Sequence, residues 1–385
     1  MRLDLHRRRE LRAVPCVFVL LTFIGCGGGG GGGGNGGTSN PPPTPVATSI
    51  PRPQKTVVVP AGGNINDAIA VHPSGATIIV EGGVYDPIVM TPGTVFGPIF
   101  IEAGDEDLGA ATILGEGEDA AIVLDGQTNV VIDGLQIIGG EVAGIYAVDS
   151  DAVEIRNCVV RRARDGVVFE RVANGLIFDT LFYENEVNNI AGLGTSMFRI
   201  VNNTIFGGDV GIFIGSSPGD AVAVLAGDTF VSNNSIDGQA SIGIKVESGS
   251  EGDYFAGYNI NRTGYQGVPK GFLDLASNPL FIFPPPVGSE KGCLTSECDF
   301  HVQVASGGRS SPAIDRGDPD TDPALVRVLR DRTIRVDNFS DGEIIDIGYH
   351  YSGGMVTPTP FPTTPTPGAG GPTRTPTATP TNTPN

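Results

Sequence analysis

Apolar and polar positions along the middle of the chain form one short sequence motif, which is repeated about every 22 to 24 residues. Each copy has an apolar residue, then Gly, Asn or Asp two positions later, then a second apolar residue five positions after the first. The copies are Ile132/Gly134/Ile137, Ile155/Asn157/Val160, Ile177/Asp179/Phe182, Ile200/Asn202/Ile205, Val231/Asn233/Ile236 and Phe255/Gly257/Ile260. Gly, Asn and Asp tolerate a left-handed backbone, so each copy places a sharp bend between two buried strand positions. A strand-like repeat of this length predicts a solenoid, in which each coil packs only on its neighbours.

The second half of each repeat is a Gly or Asn followed by an apolar residue, about 12 or 13 positions after the first anchor. These pairs are Gly144/Ile145, Gly166/Val167, Asn189/Ile190, Gly211/Ile212 and Gly243/Ile244. Apolar residues continue to alternate beyond most pairs, which is the pattern of a strand with one buried face. Each coil therefore contains two or three short strands, and its turns are too short for a helical crossover. Equivalent strands of successive coils must pair in parallel, which predicts an all-β fold, a single-stranded parallel β-helix of about 7–9 coils.

Three Asn residues recur at the bend itself, namely Asn157, Asn202 and Asn233. Stacked amides at equivalent positions can hydrogen-bond along the solenoid as a ladder. This structural role accounts for the three residues without a bound ligand.

The segments on either side of the coils are expected to cover the open ends of the solenoid. A strand at residues 56–59, a short amphipathic helix at residues 64–72 and a strand at residues 77–80 precede the first coil. They predict an N-terminal cap that prevents edge-to-edge aggregation. We expect the cap and the coils to occupy residues 55–290, and a C-terminal cap module to occupy residues 291–352.

Four short motifs occur in the segment that follows the coils in the sequence: NPLF at residues 278–281, DFHV at 299–302, SPAIDRGD at 311–318 and DIGY at 346–349. This set resembles the terminal module of many exported bacterial β-helix proteins. The coils resemble the right-handed β-helix repeat proteins of the pectate-lyase-like superfamily, and the right-handed winding is implied by that resemblance alone. The superfamily includes lyases, hydrolases, epimerases and adhesins, so the resemblance implies the fold and export but leaves the activity open.

The N-terminus is typical of an export signal. Five Arg residues accompany an apolar stretch at residues 13–24, which is too short to span a bilayer. The stretch ends at Cys26 in a pattern similar to a bacterial lipobox, so we expect residues 1–25 to be a lipoprotein signal peptide and Cys26 to carry the lipid. The alternative is an ordinary secretory signal that is cleaved nearby. The protein is therefore expected in the bacterial cell envelope, lipid-anchored at the outer membrane or cell surface, or secreted.

Two low-complexity segments flank the predicted fold. Residues 26–54 are rich in Gly and Pro and are expected to form a tether between the lipid and the folded part. Residues 353–385 are rich in Pro and Thr and are expected to be disordered. This tail either crosses a cell wall or carries sugars on its Thr residues, or it is a plain unstructured tail.

The charge balance restricts the partners. The chain has 24 basic and 43 acidic residues, and removal of residues 1–25 leaves 19 basic and 41 acidic groups, a net charge of −22. This excess of acid disfavours binding to nucleic acid or to anionic lipid headgroups. It also argues against an anionic polysaccharide, unless calcium or a local basic patch intervenes. Contact with a membrane is expected through the lipid anchor only, and we expect a monomer.

The catalytic candidates are weak. Enzymes of the superfamily that the chain resembles use a Lys or Arg base and acidic groups on the outer face of one sheet. Lys245, the one Lys in the regular coils, and Glu247 point outward from one strand, and Arg156 flanks an anchor residue. A base needs burial or nearby positive charge, and the predicted neighbours of Lys245, which are Phe213, Ala191 and an acid, supply neither. Residues 120–260 contain no His, which excludes the cluster of carboxylates and His that pectinase-type hydrolases need.

Calcium is the one ion that the sequence suggests. Asp318, Asp320 and Asp322 alternate, and oxygen donors at alternate positions can wrap a calcium ion. The run lacks the Gly and the distal Glu of an EF-hand loop, so an ion-free acidic loop is the competing interpretation.

The cysteines agree with export. Cys293 and Cys298 are separated by four residues in a predicted loop and are expected to form a disulfide in an oxidising compartment. Cys158 follows a bend Asn, where a small buried thiol is expected.

One interval of the repeat, from Ile200 to Val231, is 31 residues long. The insertion begins near residues 216–220, and projecting loops on a rigid solenoid are usual places for binding sites. We therefore predict an exported, lipid-anchored envelope protein that presents a sheet face or a loop to a polysaccharide or another envelope component, without catalysis and with no cofactor unless calcium binds. The alternative is a polysaccharide lyase or glycoside hydrolase.

Overall fold

The computed structural model describes residues 50–104, 111–217, 227–237, 241–250, 254–284, 298–304, 310–330, 332–337, 339–341 and 344–352. The predicted signal peptide, Cys26, most of the Gly/Pro tether, Cys293 and the Pro/Thr-rich tail lie outside these ranges. So do residues 105–110 of the first coil and residues 218–226 of the insertion.

Three parallel sheets form the body of the molecule, with nine, eight and eight strands. Sheet 1 contains β1 (Thr56–Val59), β2 (Ala76–Val80), β5 (Ile99–Ala103), β8 (Thr128–Asp133), β11 (Asp151–Arg156), β14 (Leu176–Phe178), β17 (Phe198–Val201), β20 (Thr229–Ser232) and β23 (Tyr254–Gly257). Sheet 2 contains β3 (Gly83–Tyr85), β6 (Ala111–Leu114), β9 (Gln136–Ile138), β12 (Val159–Arg161), β15 (Leu181–Tyr183), β18 (Thr204–Phe206), β21 (Ser235–Asp237) and β24 (Ile260–Asn261). Sheet 3 contains β4 (Ile88–Met90), β7 (Ala120–Asp125), β10 (Ala143–Val148), β13 (Asp165–Glu170), β16 (Asn188–Leu193), β19 (Val210–Gly215), β22 (Ile242–Val246) and β25 (Tyr265–Gln266).

Each coil contributes a strand to sheet 1, then to sheet 2 and then to sheet 3, and each strand pairs with its equivalent in the next coil. The result is a parallel β-helix of about eight turns, which confirms the predicted fold class. The crossover connection between two parallel strands of one sheet is right-handed in nearly all proteins. This rule agrees with the expected right-handed winding of the coils.

The apolar anchors of the repeat stack in register inside the solenoid. Ile132, Ile155, Ile177 and Ile200 pair as neighbours in sheet 1, and each is completely buried. Burial of such a side chain contributes roughly 1.5–3 kcal/mol, so the column stabilises the stack through contacts between adjacent coils only.

The bends adopt the predicted left-handed backbone in five of the six copies. The values of φ are 74° at Gly134, 53° at Asn157, 50° at Asp179, 56° at Asn202 and 57° at Asn233.

The prediction for the sixth copy was wrong by one residue. Val231 pairs with Ala256, so Phe255 faces outward and stacks on Phe230 at 5.2 Å. The bend falls on Tyr258, with φ 60°. A shift by one residue exchanges the two faces of a strand, and the apolar ring of Phe255 concealed the shift in the sequence.

The amide ladder lies one position beyond the predicted residues. Asn203, Asn234 and Asn259 are completely buried, and each follows a bend. Asn203 Nδ2 donates to Asn234 Oδ1 at 2.9 Å, and Asn234 Nδ2 donates to Asn259 Oδ1 at 3.0 Å. The bend residues themselves contribute one link, from Asn233 Nδ2 to Asn202 Oδ1 at 3.2 Å. The other side-chain hydrogen bonds of these bend residues go to the C-terminal segment, because the side chain at a bend points away from the core.

The N-terminal elements appear nearly as predicted. Helix α1 (Ile65–Ala70) is shorter than the predicted 64–72, and Asn64 caps it by accepting a hydrogen bond from Asp67 N at 3.2 Å. Ile65 and Ile69 of this helix join the same buried cluster as the coil residues, so α1 extends the core at its front end.

The C-terminal segment lies along the side of the coils. It contains β27 (Asp299–Val302), which pairs antiparallel with β26 (Phe281–Phe283), helix α2 (Pro323–Leu329), and the antiparallel pair β28 (Arg332–Thr333) and β29 (Tyr351–Ser352). Its apolar residues Phe300, Ile347 and Tyr349 pack on the outer face of sheet 2. Leu325 and Leu329 of α2 pack on the outer face of sheet 1. The segment predicted as a terminal cap therefore covers two side faces of the solenoid.

A buried group of charged side chains, Asp179, Arg332, Asp341 and His350, joins this segment to a bend; we call it the clasp. Asp179 accepts a hydrogen bond from His350 N at 2.6 Å and pairs with Arg332. His350 Nε2 lies 2.7 Å from Asp341 Oδ2, and its Nδ1 lies 3.5 Å from Asp179 Oδ1. Burial lowers the pKa of His350, but the two carboxylates outweigh burial and raise that pKa to about 10.

Candidate functional site

The three catalytic candidates do not come together. Lys245 and Glu247 lie at the outer face of sheet 3, whereas Arg156 lies on the outer face of sheet 1. Arg156 Nε is 2.9 Å from Asp133 Oδ2, and Glu154 lies 3.6 Å from its Nη1. Burial lowers the pKa of Arg156, but these carboxylates outweigh burial and raise it. Arg156 is therefore a charged partner in an ion-pair group and is unsuited to accept a proton.

One row of outward side chains on sheet 3 forms a flat strip, which we call the sheet 3 strip: Tyr146, Val168, Ala191, Phe213 and Lys245. The predicted neighbours Ala191, Phe213 and Lys245 are confirmed by the strand register. Tyr146 and Phe213 are three strand spacings apart, about 14 Å. Val168 and Ala191 lie between them and are short, so two aromatic rings border a low apolar floor, which is 6% exposed at Val168 and 3% exposed at Ala191. In the described part of the chain, the apolar contacts of this strip come from sheet 3 itself.

A polar edge runs beside the strip and consists of Asp149, Glu170, Arg171 and Ser217. Glu170 accepts hydrogen bonds from the Tyr146 hydroxyl, from Ser217 Oγ at 2.8 Å and from Arg171 Nη1 at 2.6 Å. Arg171 Nε also donates to Asp149 Oδ1 at 2.7 Å, and the hydrogen bond to Asp149 is the largest of the causes that raise the pKa of Arg171. The edge therefore presents fixed charges and donors along one side of the floor.

The start of the insertion is attached to this face. Ser216 donates from its backbone N and from its Oγ to Glu247 Oε2, at 2.8 and 2.7 Å. These two hydrogen bonds lower the pKa of Glu247. Ser217, the next residue, belongs to the polar edge. The insertion therefore begins on the same face as the strip, and residues 218–226 lie outside the described ranges.

Lys245 and Glu247 each contact a neighbouring group on this face. Lys245 Nζ lies 5.4 Å from the centre of the Phe213 ring, whose negative face attracts the charged ammonium, and only the neutral amine could act as a base. A lowered pKa keeps Glu247 ionised, whereas glycoside cleavage needs a protonated carboxyl as general acid.

Sequence reasoning missed Tyr146 and Arg171. Tyr146 could have been found from the repeat spacing, since it lies three repeats before Phe213 in the same row of the sheet. Glu170 is the last residue of β13 and Arg171 begins the turn that follows, where the repeat carries no fixed residue type.

The three acids predicted for calcium have local roles in this structure. Asp318 Oδ1 accepts from Asp320 N at 2.9 Å, and Asp322 caps α2 by accepting from Ala324 N at 2.9 Å. Across the described ranges, no three His, Cys, Asp or Glu side chains lie close enough together to hold a metal ion. The calcium site therefore gains no support from the described residues and stays a prediction.

The two cysteine predictions that the described residues include agree with the structure. Cys158 is free and completely buried, and burial raises the pKa of its thiol to about 12. Cys298 is disulfide-bonded. Its expected partner, Cys293, lies outside the described residues, so the pairing itself stays a prediction.

Residues 101–262 match the family described as periplasmic copper-binding protein (NosD), and this match covers less than half of the chain. No curated protein sequence matches the chain.

Several solved β-helix structures show a distant likeness. Pectate lyase Pel9A is 12% identical, with a TM-score of 0.39, and the match covers 80% of this chain and 98% of the lyase. A pectin methylesterase from Aspergillus niger is 16% identical, with a TM-score of 0.37, and the match covers 60% of this chain and 83% of that enzyme. An alginate lyase from Paenibacillus sp. is 13% identical, with a TM-score of 0.32 and coverage of 58% and 98%. At such scores the fold assignment rests on the strand pairing described above.

Neither helix in the described ranges is long and apolar enough to cross a membrane.

Proposed function

We propose that the protein is an exported β-helix of the bacterial cell envelope that binds a glycan on the sheet 3 strip without cleaving it. The observation that carries this proposal is the pair of partly exposed aromatic residues, Tyr146 and Phe213, on either side of Val168 and Ala191. The faces of a sugar ring carry C–H groups that pack on such rings, while its hydroxyls reach sideways. The polar edge offers the exposed Asp149 carboxylate and the partly exposed Arg171 guanidinium at that side.

A neutral glycan fits the charges better than an anionic one. The chain is strongly acidic, and the cations beside the strip are already engaged: Arg171 pairs with Asp149 and Glu170, and Lys245 lies over Phe213. An anionic polysaccharide would lose hydration without gaining a free cation there.

Export is supported by the basic and apolar N-terminal sequence and by the name of the matched family, which is periplasmic. We propose that Cys26 carries a lipid and that residues 26–54 hold the β-helix away from the membrane. Mass spectrometry of Cys26→Ser, compared with the unaltered chain, is expected to show loss of the lipid and release from the membrane fraction.

Copper binding, which appears in the name of the matched family, is not extended to this chain. Proteins bind copper chiefly through His, Cys and Met. Residues 101–262 contain no His, and Met197 is the single Met among them. Cys158 is completely buried, with its thiol donating to Arg156 O at 3.1 Å. These residues do not fit a copper centre.

Native gels cast with neutral or anionic polysaccharides test the glycan proposal. The protein is expected to be retarded by at least one neutral polysaccharide and not by polygalacturonate or alginate. Phe213→Ala is expected to weaken binding roughly three- to tenfold, since aromatic contacts are worth about 0.5–1.5 kcal/mol beyond area burial. Phe96→Ala is the matched control, because Phe96 is 78% exposed and lies outside sheet 3. Equal loss in both variants, or no retardation by any neutral polysaccharide, would contradict the proposal.

The enzyme alternative is tested with the same polysaccharides. Incubation is expected to release neither unsaturated ends nor reducing sugars. Release that disappears in Lys245→Ala would show instead that the strip belongs to a lyase or hydrolase.

A further inference from the structure

A separate cavity of about 200 Å³ lies between the outer face of sheet 2 and the C-terminal segment. Its floor is formed by Gln136, Val159 and Leu181, from three adjacent strands of sheet 2. This is a different face from the sheet 3 strip. Ligand pockets for drug-sized molecules have volumes of roughly 300–1,000 Å³, so this cavity admits only a smaller ligand.

Four aromatic residues form the walls: Tyr183, Phe300, Tyr349 and Tyr351. The ring centres of Tyr183 and Phe300 are 5.4 Å apart, and those of Tyr349 and Tyr351 are 5.0 Å apart. Phe300 N donates to Tyr351 Oη at 3.2 Å, which fixes one wall against the next. Burial raises the pKa of Tyr183, Tyr349 and Tyr351, so each keeps a neutral hydroxyl.

Two buried polar atoms of these lining residues have no hydrogen-bond partner among the described residues. Gln136 is 5% exposed, and its Oε1 accepts from Thr112 Oγ1 at 3.0 Å, which orients the amide and leaves Nε2 unpaired. Tyr349 is 1% exposed, and its Oη is also unpaired. Buried polar groups without partners are costly and uncommon, and a ligand hydroxyl can both donate and accept.

The described residues that line the cavity include no acid and no base. A charged ligand would therefore lose its hydration without gaining an ion pair. The site selects for a compact, neutral molecule with apolar faces and hydroxyl groups.

We propose that this cavity binds one neutral pyranose ring, either a free monosaccharide or the terminal unit of a glycan. The ring faces pack against the aromatic walls, and ring hydroxyls pair with Gln136 Nε2 and Tyr349 Oη. This inference does not depend on the sheet 3 strip, since the two sites share no residue.

Saturation-transfer NMR with the methyl glycosides of glucose, galactose and mannose tests the proposal directly. At least one of these ligands is expected to bind, and methyl glucuronide is expected to bind at least tenfold more weakly because of its charge. A neutral oligosaccharide that binds as tightly as its terminal monosaccharide would identify a chain end as the source of the ring, whereas weaker binding would identify the free sugar.

Two variants locate the site. Gln136→Leu removes the unpaired donor at similar size and is expected to weaken binding roughly three- to tenfold. Val159→Phe places a ring in the cavity and is expected to abolish binding. Gln54→Leu is the matched control, because Gln54 is exposed and lies outside sheet 2. Urea unfolding of each variant shows whether the fold is kept, and Gln136→Leu decides the outcome if Val159→Phe does not fold.

The proposal is overturned if no neutral glycoside binds, if phenol binds and the sugars do not, or if Gln136→Leu and Gln54→Leu bind equally well. Phe213→Ala is expected to leave monosaccharide binding unchanged. Loss of polysaccharide retardation with intact monosaccharide binding, or the reverse, distinguishes failure of the strip proposal from failure of the cavity proposal.

Discussion

The buried asparagines show at the scale of single residues how a polar group is kept inside a narrow apolar core. Asn234 Nδ2 donates to Ile200 O, Ser232 O and Asn259 Oδ1, and its Oδ1 accepts from Asn203 N and Asn203 Nδ2. Every polar atom of this amide is therefore paired, and the pairing crosses from one coil to the next. The side chain contributes to holding the coils in register as well as to filling the core.

Replacement of Asn234 by Ala is expected to lower the free energy of unfolding by about 1–3 kcal/mol, because it leaves Asn203 N buried without an acceptor and removes one of the two acceptors of Asn203 Nδ2, which keeps Ile177 O. Urea denaturation followed by circular dichroism measures the change. Asn278→Ala is the control, since Asn278 is exposed and accepts one hydrogen bond, from Leu280 N. The ladder has no such role if the two variants unfold at the same urea concentration.

At the scale of elements, the coils approach one another most closely along sheet 3. A Cβ atom at Gly166 would lie 2.4 Å from Asn189 O in the next coil, and one at Gly144 would lie 2.8 Å from Gly166 O. These contacts are with backbone atoms, which cannot turn away as a side chain could. The Gly in the second half of the repeat is thus required by coil spacing at positions 144, 166 and 211, whereas the Gly, Asn or Asp in the first half is required by backbone conformation.

Gly166→Ala is expected to destabilise the protein by at least about 2 kcal/mol through this overlap with the neighbouring coil. Thermal unfolding compared with Gly227→Ala provides the measurement, because a Cβ at Gly227 would meet its nearest atom at an ordinary 3.6 Å. A melting temperature unchanged by Gly166→Ala would mean that the coils can separate without cost.

At the scale of the whole molecule, the clasp fixes which faces of the solenoid remain open. Asp179 is both a bend residue of the repeat and the acceptor for His350 N, 171 positions further along the chain. The C-terminal segment that it holds covers parts of sheets 1 and 2, and the cavity forms beneath that segment. No described residue of this segment belongs to the apolar cluster of the sheet 3 strip.

The clasp predicts a pH dependence of stability. The pKa of His350 is raised from 6.5 to about 10 in the folded state, so its contribution is complete below pH 6.5 and is lost as pH rises toward 10. Burial, with the charge of Asp341, raises the pKa of Asp346 to about 7, which gives a loss of the same sign as pH rises from about 4 toward 7.

Urea midpoints measured between pH 5 and pH 10 are expected to fall with rising pH, and His350→Gln is expected to flatten the slope above pH 6.5 and to lower the midpoint below it. His72→Gln provides the control, because His72 lies in the turn after α1, away from the clasp. The same slope in both variants would exclude His350 as the titrating group.

The sequence by itself determined the solenoid, its coils of short strands, the buried anchors and the neighbours Ala191, Phe213 and Lys245. This was possible because stacked residues are one period apart, so the strand register can be read from spacing alone. The prediction was wrong at Phe255 and Tyr258, because Phe255 is apolar although it lies on the outer face of its strand, and it was therefore assigned as a buried anchor. Only the tertiary structure decided what lies on the outside of the coils. Arg332 reaches Asn157 across 175 positions and His350 reaches Asp179 across 171. Such separations follow no period, so the clasp, the covered faces and the cavity depend on packing between parts of the chain that share no repeat.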